Sequence, residues 1–314
     1  MNTSTSWWAA LLLGLLGCDP GAPDADAAGL DAPSIDAAAS DVPGADGGED
    51  DAPPDDTSED GATGDDGGAP SGGAGAWIRE HLAGTGDLTG DFTSRTRVET
   101  PALVHDATAC CAKYAFDVRE EMAPDDRRVG FVDVVIRDLV STDAFGGGMQ
   151  TSGAAGVTLF LANVVIEPNW PEWVSYAETN YDGMVLDDAA AIYAEDLTIR
   201  NWNADGAIDN KAPVSQFVRL RIEGRGNRGI RYWGAGPHYL VDSHLENTGG
   251  LGEGSLLWFS DCDTVEVRIY GSTFGGEGTV PSSAISCDNG SAPELVYLTT
   301  DPRTTGEMHE MFGP

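Results

Sequence analysis

The sequence predicts an all-β chain whose folded part is a parallel β-helix, a solenoid with a short N-terminal helical cap, and three observations point there. Asp182-Gly-Met-Val-Leu-Asp-Asp188, Asp205-Gly-Ala-Ile-Asp-Asn-Lys211 and Arg228-Gly-Ile-Arg-Tyr-Trp-Gly234 repeat one pattern, with Asp182, Asp205 and Arg228 each 23 residues apart. A second column keeps that interval, since Ile199, Ile222 and Leu245 close alternating, strand-like runs. No helical segment separates the runs, and paired strands recurring at one period are the mark of a stacked solenoid. Equivalent residues on successive coils then sit about 4.8 Å apart, the spacing of hydrogen-bonded strands.

Taken in order, residues 1–18 end in an apolar run, Ala9 to Cys18, too short to span a bilayer and closed by a small residue and a cysteine. That pattern reads as a secretion signal. Leu15-Leu-Gly-Cys18 resembles the lipobox of bacterial lipoproteins, which implies lipidation of Cys18, export, and membrane attachment in the cell envelope, periplasmic or at the outer surface. Residues 19–76 are expected to form a disordered tether. Asp19 to Gly75 holds 16 Asp or Glu and no Lys or Arg, so it cannot bury enough apolar surface to offset its ordering entropy, and its like charges repel.

Residues 77–314 are the expected β-helix domain. They retain 36 of the 52 acidic residues and all 17 basic ones, a formal balance of −19, which argues against nucleic acid as a partner. A monomer is expected. Trp77-Ile-Arg-Glu-His-Leu82 reads as a short amphipathic helix covering an open end of the core. Strand-like runs begin at Phe131 to Ile136 and Val157 to Ile166, then pass through an aromatic insertion, Pro168 to Tyr176. Two readings stand for Trp170, Trp173 and Tyr176: platforms stacked on sugar rings, or anchors that pin the loop to the coil. Further runs lie at Ser255 to Phe259, Thr264 to Ile269, Ser283 to Cys287 and Glu294 to Leu298, before a tail that caps or frays.

Apart from Cys18, the cysteines are Cys110, Cys111, Cys262 and Cys287. Four cysteines in an exported chain allow three pairings. Cys262 and Cys287 are about one coil apart, which favours that bridge and leaves Cys110 and Cys111 as a vicinal pair or free thiols.

Asp205 and Asp209 are four apart, which puts both on one face of a strand, with Asp182 on the coil before. Three converging carboxylates repel unless neutralised, and oxygen-only ligands favour Ca²⁺. Six of the 17 basic residues, Lys211, Arg219, Arg221, Arg225, Arg228 and Arg231, follow within 21 positions, a setting suited to a carboxylate-bearing polymer. Strict alternation puts Arg228 beside Asp205 and turns Arg231 inward unless a bulge intervenes. The bland alternatives are an exposed acidic patch and a structural Arg228–Asp205 pair.

The segments Asp182-Gly-Met-Val-Leu-Asp-Asp, Ile192-Tyr-Ala-Glu-Asp-Leu, Asp205-Gly-Ala-Ile-Asp-Asn-Lys and Phe217-Val-Arg-Leu-Arg-Ile resemble the calcium-site coils of the pectate lyases, right-handed parallel β-helices that cleave polygalacturonate by β-elimination. The resemblance covers about 70 residues. It implies Asp182, Asp205 and Asp209 as Ca²⁺ ligands and Arg228 as the substrate-binding cation of the next coil; the basic cluster and the aromatic insertion add Lys211, Arg225, Trp170 and Trp173 as expected contacts to an acidic polysaccharide or other glycan. Arg228 or Arg231 would be the base that takes the proton beside the uronate carboxylate. The family's Arg-x-Pro coil has no counterpart, the matching stretch reading Gly250-Leu-Gly-Glu-Gly-Ser-Leu-Leu. Two other functions compete: a polygalacturonase-type hydrolase using clustered aspartates, and a non-catalytic surface lipoprotein that binds glycans or acts as a spacer.

Overall fold

The computed structural model describes residues 73–84, 96–99, 103–104, 114–119, 128–139, 145–152, 156–168, 170–247 and 254–313. The signal, most of the tether, Cys18, Cys110 and Cys111 lie outside the described residues. Helix α1 spans Gly73–His81, so the last four positions assigned to the tether are helical.

The first strands are β1 (Ala83–Gly84), β2 (Thr96–Glu99), β3 (Leu103–Val104), β4 (Tyr114–Arg119), β5 (Arg128–Leu139), β6 (Phe145–Ser152) and β7 (Thr158–Pro168). The middle of the chain holds β8 (Asn180–Leu186), β9 (Ala191–Trp202), β10 (Gly206–Asn210), β11 (Ser215–Val218), β12 (Arg221–Gly224), β13 (Arg228–Tyr232), β14 (His238–Val241) and β15 (His244–Asn247). Then come β16 (Ser255–Asp261), β17 (Glu266–Tyr270), β18 (Thr273–Phe274), β19 (Ile285–Asn289), β20 (Glu294–Tyr297) and a short helix α2 (Pro302–Thr305). All named strand pairs are parallel, in a sheet of 13 strands and one of seven, a curled, solenoid-like arrangement compatible with a β-helix.

Equivalent side chains stack from coil to coil. In the smaller sheet Met149, Met184, Ile208, Ile230, Leu257 and Ile285 are in register. In the larger, Ile136, Ile166, Ile199, Ile222, Leu245 and Phe274 form a second inward column. Both columns belong to one hydrophobic core, Ile285 packing at its edge. Fully burying such a side chain is worth about 1.5–3 kcal/mol. The column of Ile199, Ile222 and Leu245 is thus as the interval of 23 requires.

A third column turns the corner of each coil. Asp133, Asn163, Asp196, Arg219 and Asp242 all have left-handed backbone, with φ between 50° and 56°, and Gly271 continues it at 62°. The conformation costs an ordinary residue about 1–2 kcal/mol, less for Asp and Asn, whose short side chains bond locally. Side-chain bonds offset the cost: Asn163 Nδ2 donates to Asp133 at 2.8 Å, Arg219 grips Asp196 with two bonds, and Arg303 reaches Asp242 at 2.7 Å. This corner interrupts the strand-like run that Ile222 closes, separating β11 from β12.

Helix α1 does not close an end of the core; it straps the outer face of the larger sheet. Ile78 and Leu82 sit on Gly130, where an added Cβ would be 2.6 Å from Leu82 Cδ1. Ala74 N donates to Glu195 at 2.9 Å. The C-terminal tail lies beside it, Met308, Met311 and Phe312 being buried in the same apolar cluster with Val132, Phe160 and Val218. Outward positions on these strands are apolar, and that exposed apolar surface is what the helix and tail cover.

Cys262 and Cys287 form a disulfide, with Cα atoms 5.7 Å apart.

Candidate functional site

The repeated segments fall on β8, β10 and β13, adjacent strands of the smaller sheet, but their register is not the uniform 23 of the sequence pattern. Asp182 pairs with Gly206, 24 residues on, and Gly206 pairs with Arg228. Asp205 therefore precedes β10 and stands one position out of the column. Gly206 is glycine for a reason: a Cβ there would be 2.6 Å from Asp182 Oδ1, the atom that accepts the Gly206 amide at 3.0 Å.

Alternation also breaks. Ala207 and Ile208 both belong to the core, so Asp209 returns to the outer face, and Arg231, its partner in register, faces outward with it. Strict alternation had turned Arg231 inward. Instead its guanidinium sits among the three aspartates, with Nη1 2.5 Å from Asp205 Oδ2, Nη2 2.7 Å from Asp209 Oδ2 and Nη2 3.6 Å from Asp182 Oδ1. Asn227 Nδ2 donates to Asp205 Oδ1 at 3.0 Å, and Trp233 Nε1 to Asp209 Oδ1 at 2.5 Å. All four charged groups are 4% exposed or less.

Burial sets the protonation of this cluster. One guanidinium cannot balance three buried carboxylates. Burial pushes the Asp182 carboxyl well above its ordinary range; Arg231 pulls it down, and Asp209 and Asp205 push it up again. Of the three carboxylates, Asp182 makes the longest contact to Arg231. For Arg231, burial works toward a lower pKa, but Asp182, Asp209 and Asp205 outweigh it and hold the guanidinium above its ordinary value.

The donor set does not fit calcium. A Ca²⁺ ion takes about six to eight oxygens at about 2.3–2.6 Å, all turned toward one point. Here oxygens of Asp182, Asp205 and Asp209 accept from Arg231, Asn227, Trp233 and the Gly206 amide, and the cation at their centre is a guanidinium. Arg231 is equally unsuited to removing a proton, because three carboxylates hold its own proton in place.

The remaining predicted residues divide. Arg228 Nη1 is 3.5 Å from Asp205, and its guanidinium lies over Trp258, 5.3 Å from the ring centroid. Lys211 pairs with Asp187, approaches Asp209 at 3.7 Å and stands 5.5 Å from the Trp233 ring. Arg225 reaches Glu172 at 2.8 Å, tying the aromatic insertion to the coil. Trp170 is buried and stacked on Tyr181 at 4.8 Å, so it anchors the loop and has no open face for a sugar. Trp173 donates its backbone amide to Asn203 at 2.8 Å and is half-buried.

Sequence reasoning passed over Trp233, which is 45% exposed and packs against Trp258 at 4.9 Å. Its place just past Tyr232, the last paired residue of β13, follows from the register and not from the sequence pattern. His238 is fully buried, bonded to Ser215 at 2.8 Å and Gly234 O at 3.0 Å. Burial lowers its pKa to about 4, the Gly234 bond opposing, so the ring is neutral and structural.

The outer face of the smaller sheet thus presents one exposed indole, a lysine beside it and Arg228 over a second indole, above a closed layer of paired charge. No family model, curated protein or solved structure matches the chain, and its likeness to the pectate lyases rests on the residues quoted above.

Proposed function

We propose that the chain is an exported right-handed parallel β-helix that binds an acidic, uronate-bearing glycan on the outer face of its smaller sheet and does not cleave it. The observation that carries this reading is Trp233: an exposed indole whose ring N–H is held by Asp209 and whose flank is Lys211. A flat ring complements the C–H face of a pyranose, and the cation beside it suits the sugar's carboxylate. Fixing the indole beforehand lowers the ordering cost of binding. Calcium-dependent elimination is the weaker reading, since Arg231 already occupies the centre of the aspartates and stays protonated. Attachment to the envelope through Cys18 belongs to the same proposal.

A hydrolase reading has one feature in its favour: burial holds the Asp182 carboxyl above its ordinary range, and two further carboxylates stand beside it. Its burial argues against contact with a glycan. Titrating oligogalacturonates against tryptophan fluorescence tests the binding proposal. Saturable quenching that weakens at least about tenfold in Trp233→Ala and declines with salt is expected. Equal affinity in parent and variant contradicts it.

A further inference from the structure

Away from that face, three side chains on the larger sheet converge without any assigned role. β12 and β15 pair so that Arg221 aligns with His244 and Glu223 with Glu246. Their side chains point outward, because Ile222 and Leu245 between them fill the core. Glu223, His244 and Glu246 each offer one ligand atom, and these atoms lie within 4.8 Å of one another. His244 Nε2 is 3.4 Å from Glu246 Oε2, the edge of a tetrahedron of ligands placed about 2.1 Å from an ion.

A second, independent feature orients the histidine. Thr273, on β18 of the following coil, has its hydroxyl 2.8 Å from His244 Nδ1. With Nδ1 engaged by the hydroxyl, Nε2 is the nitrogen directed to the carboxylates, the outer bond that metal-bound imidazoles use to fix ring and tautomer. His244 also borders a cavity of about 430 Å³, shared with Thr198, Arg219 and Asp242, so solvent can supply a fourth ligand. Arg221 pairs with Glu223, and its side chain is 57% exposed, which lets it swing away when a cation arrives.

The geometry points to a divalent metal site at Glu223, His244 and Glu246, of mixed nitrogen and oxygen donors that suit a first-row ion such as Zn²⁺. It is built from neighbouring coils, so its ligands are brought together only by correct stacking. It is separate from the glycan face and does not depend on that proposal.

The test titrates Zn²⁺ into the full chain against a chromophoric chelator, with His244→Ala, Glu246→Gln and Thr273→Val in parallel. The acidic stretch ahead of the fold is common to all four proteins, so differences between them report this site. Loss of one zinc equivalent in His244→Ala and Glu246→Gln is expected, with roughly 10–100-fold weaker binding in Thr273→Val, which keeps all three ligands. Imidazole NMR of the parent gives a reading without mutation: zinc moves the His244 ring signals while those of the other four histidines stay in place. Equal zinc binding in parent and His244→Ala, or zinc shifts on other histidines but not His244, overturns the site.

Discussion

Arg231 on β13 reaches back one coil to Asp205, 2.5 Å away, with both side chains almost fully buried on the outer face of the smaller sheet. The pair is the centre of a cluster that takes in Asp209 and Asp182, and most of what the face can do follows from it. Removing one partner of a buried pair leaves an uncompensated charge, which costs far more than the pair itself contributes.

Arg231→Met should therefore destabilise the fold by about 3–5 kcal/mol, read as a fall in the urea midpoint. Arg231→Lys retains the charge but not the fork that spans Asp205 and Asp209, and should recover only part of the loss. A midpoint unchanged in Arg231→Met would mean that the three carboxylates do not face it.

Asp182→Asn should behave in the opposite way. The folded-state pKa of Asp182 is raised, so its protonated form contributes stability below the ordinary carboxylate value, and that contribution is lost as pH rises through the raised one. Asparagine mimics the protonated form and retains the bond from the Gly206 amide. Chemical unfolding at pH 8 should find the variant more stable than the parent, with the difference vanishing as pH falls below about 3.8. A variant less stable than the parent at pH 8 would show that Asp182 is ionised there.

His238 predicts a pH response of reversed sign. Its folded pKa is lowered to about 4, so its stabilisation is present above about 6.5 and lost as pH falls from there toward 4. The shift corresponds to roughly 3 kcal/mol. His238→Gln is less stable than the parent at pH 7, and the gap should narrow between pH 6.5 and 4. A gap that stays constant over that range counts against a buried neutral imidazole.

Replacing both Cys262 and Cys287 by alanine opens a link across 25 residues. A loop of that size is worth about 3 kcal/mol, visible as a lower thermal midpoint. The core column through Leu257 and Ile285 should stay in place, so the far-ultraviolet circular dichroism of the folded state should not change.

The sequence showed the stacked architecture because the inward columns obey a fixed interval where the coil is short, as at Ile199, Ile222 and Leu245. It misplaced Asp205 because turns absorb single residues: the smaller sheet advances by 24 from Asp182 to Gly206 while the larger advances by 23. Strict alternation failed for Arg231, since two successive residues, Ala207 and Ile208, face the core on β10, and the register puts Ile230 inward and Arg231 outward beside Asp209 on β13. The corner column stayed hidden because left-handed backbone at Asp133, Asn163, Asp196, Arg219 and Asp242 involves three residue types with no common pattern. Helix α1 was legible as amphipathic, but its docking on the outer face depends on Gly130 and Phe160, more than forty positions away. Trp233 and the meeting of Glu223, His244 and Glu246 required the register itself.

The most direct measurement of the central claim, a glycan face whose aspartates are bridged by Arg231 rather than by calcium, is incubation of the protein with polygalacturonate in calcium and, separately, in a chelator. Binding in both conditions, with no ultraviolet absorbance from unsaturated ends in either, is the predicted result. Calcium-dependent growth of that absorbance, abolished by Asp205→Asn, would contradict the account.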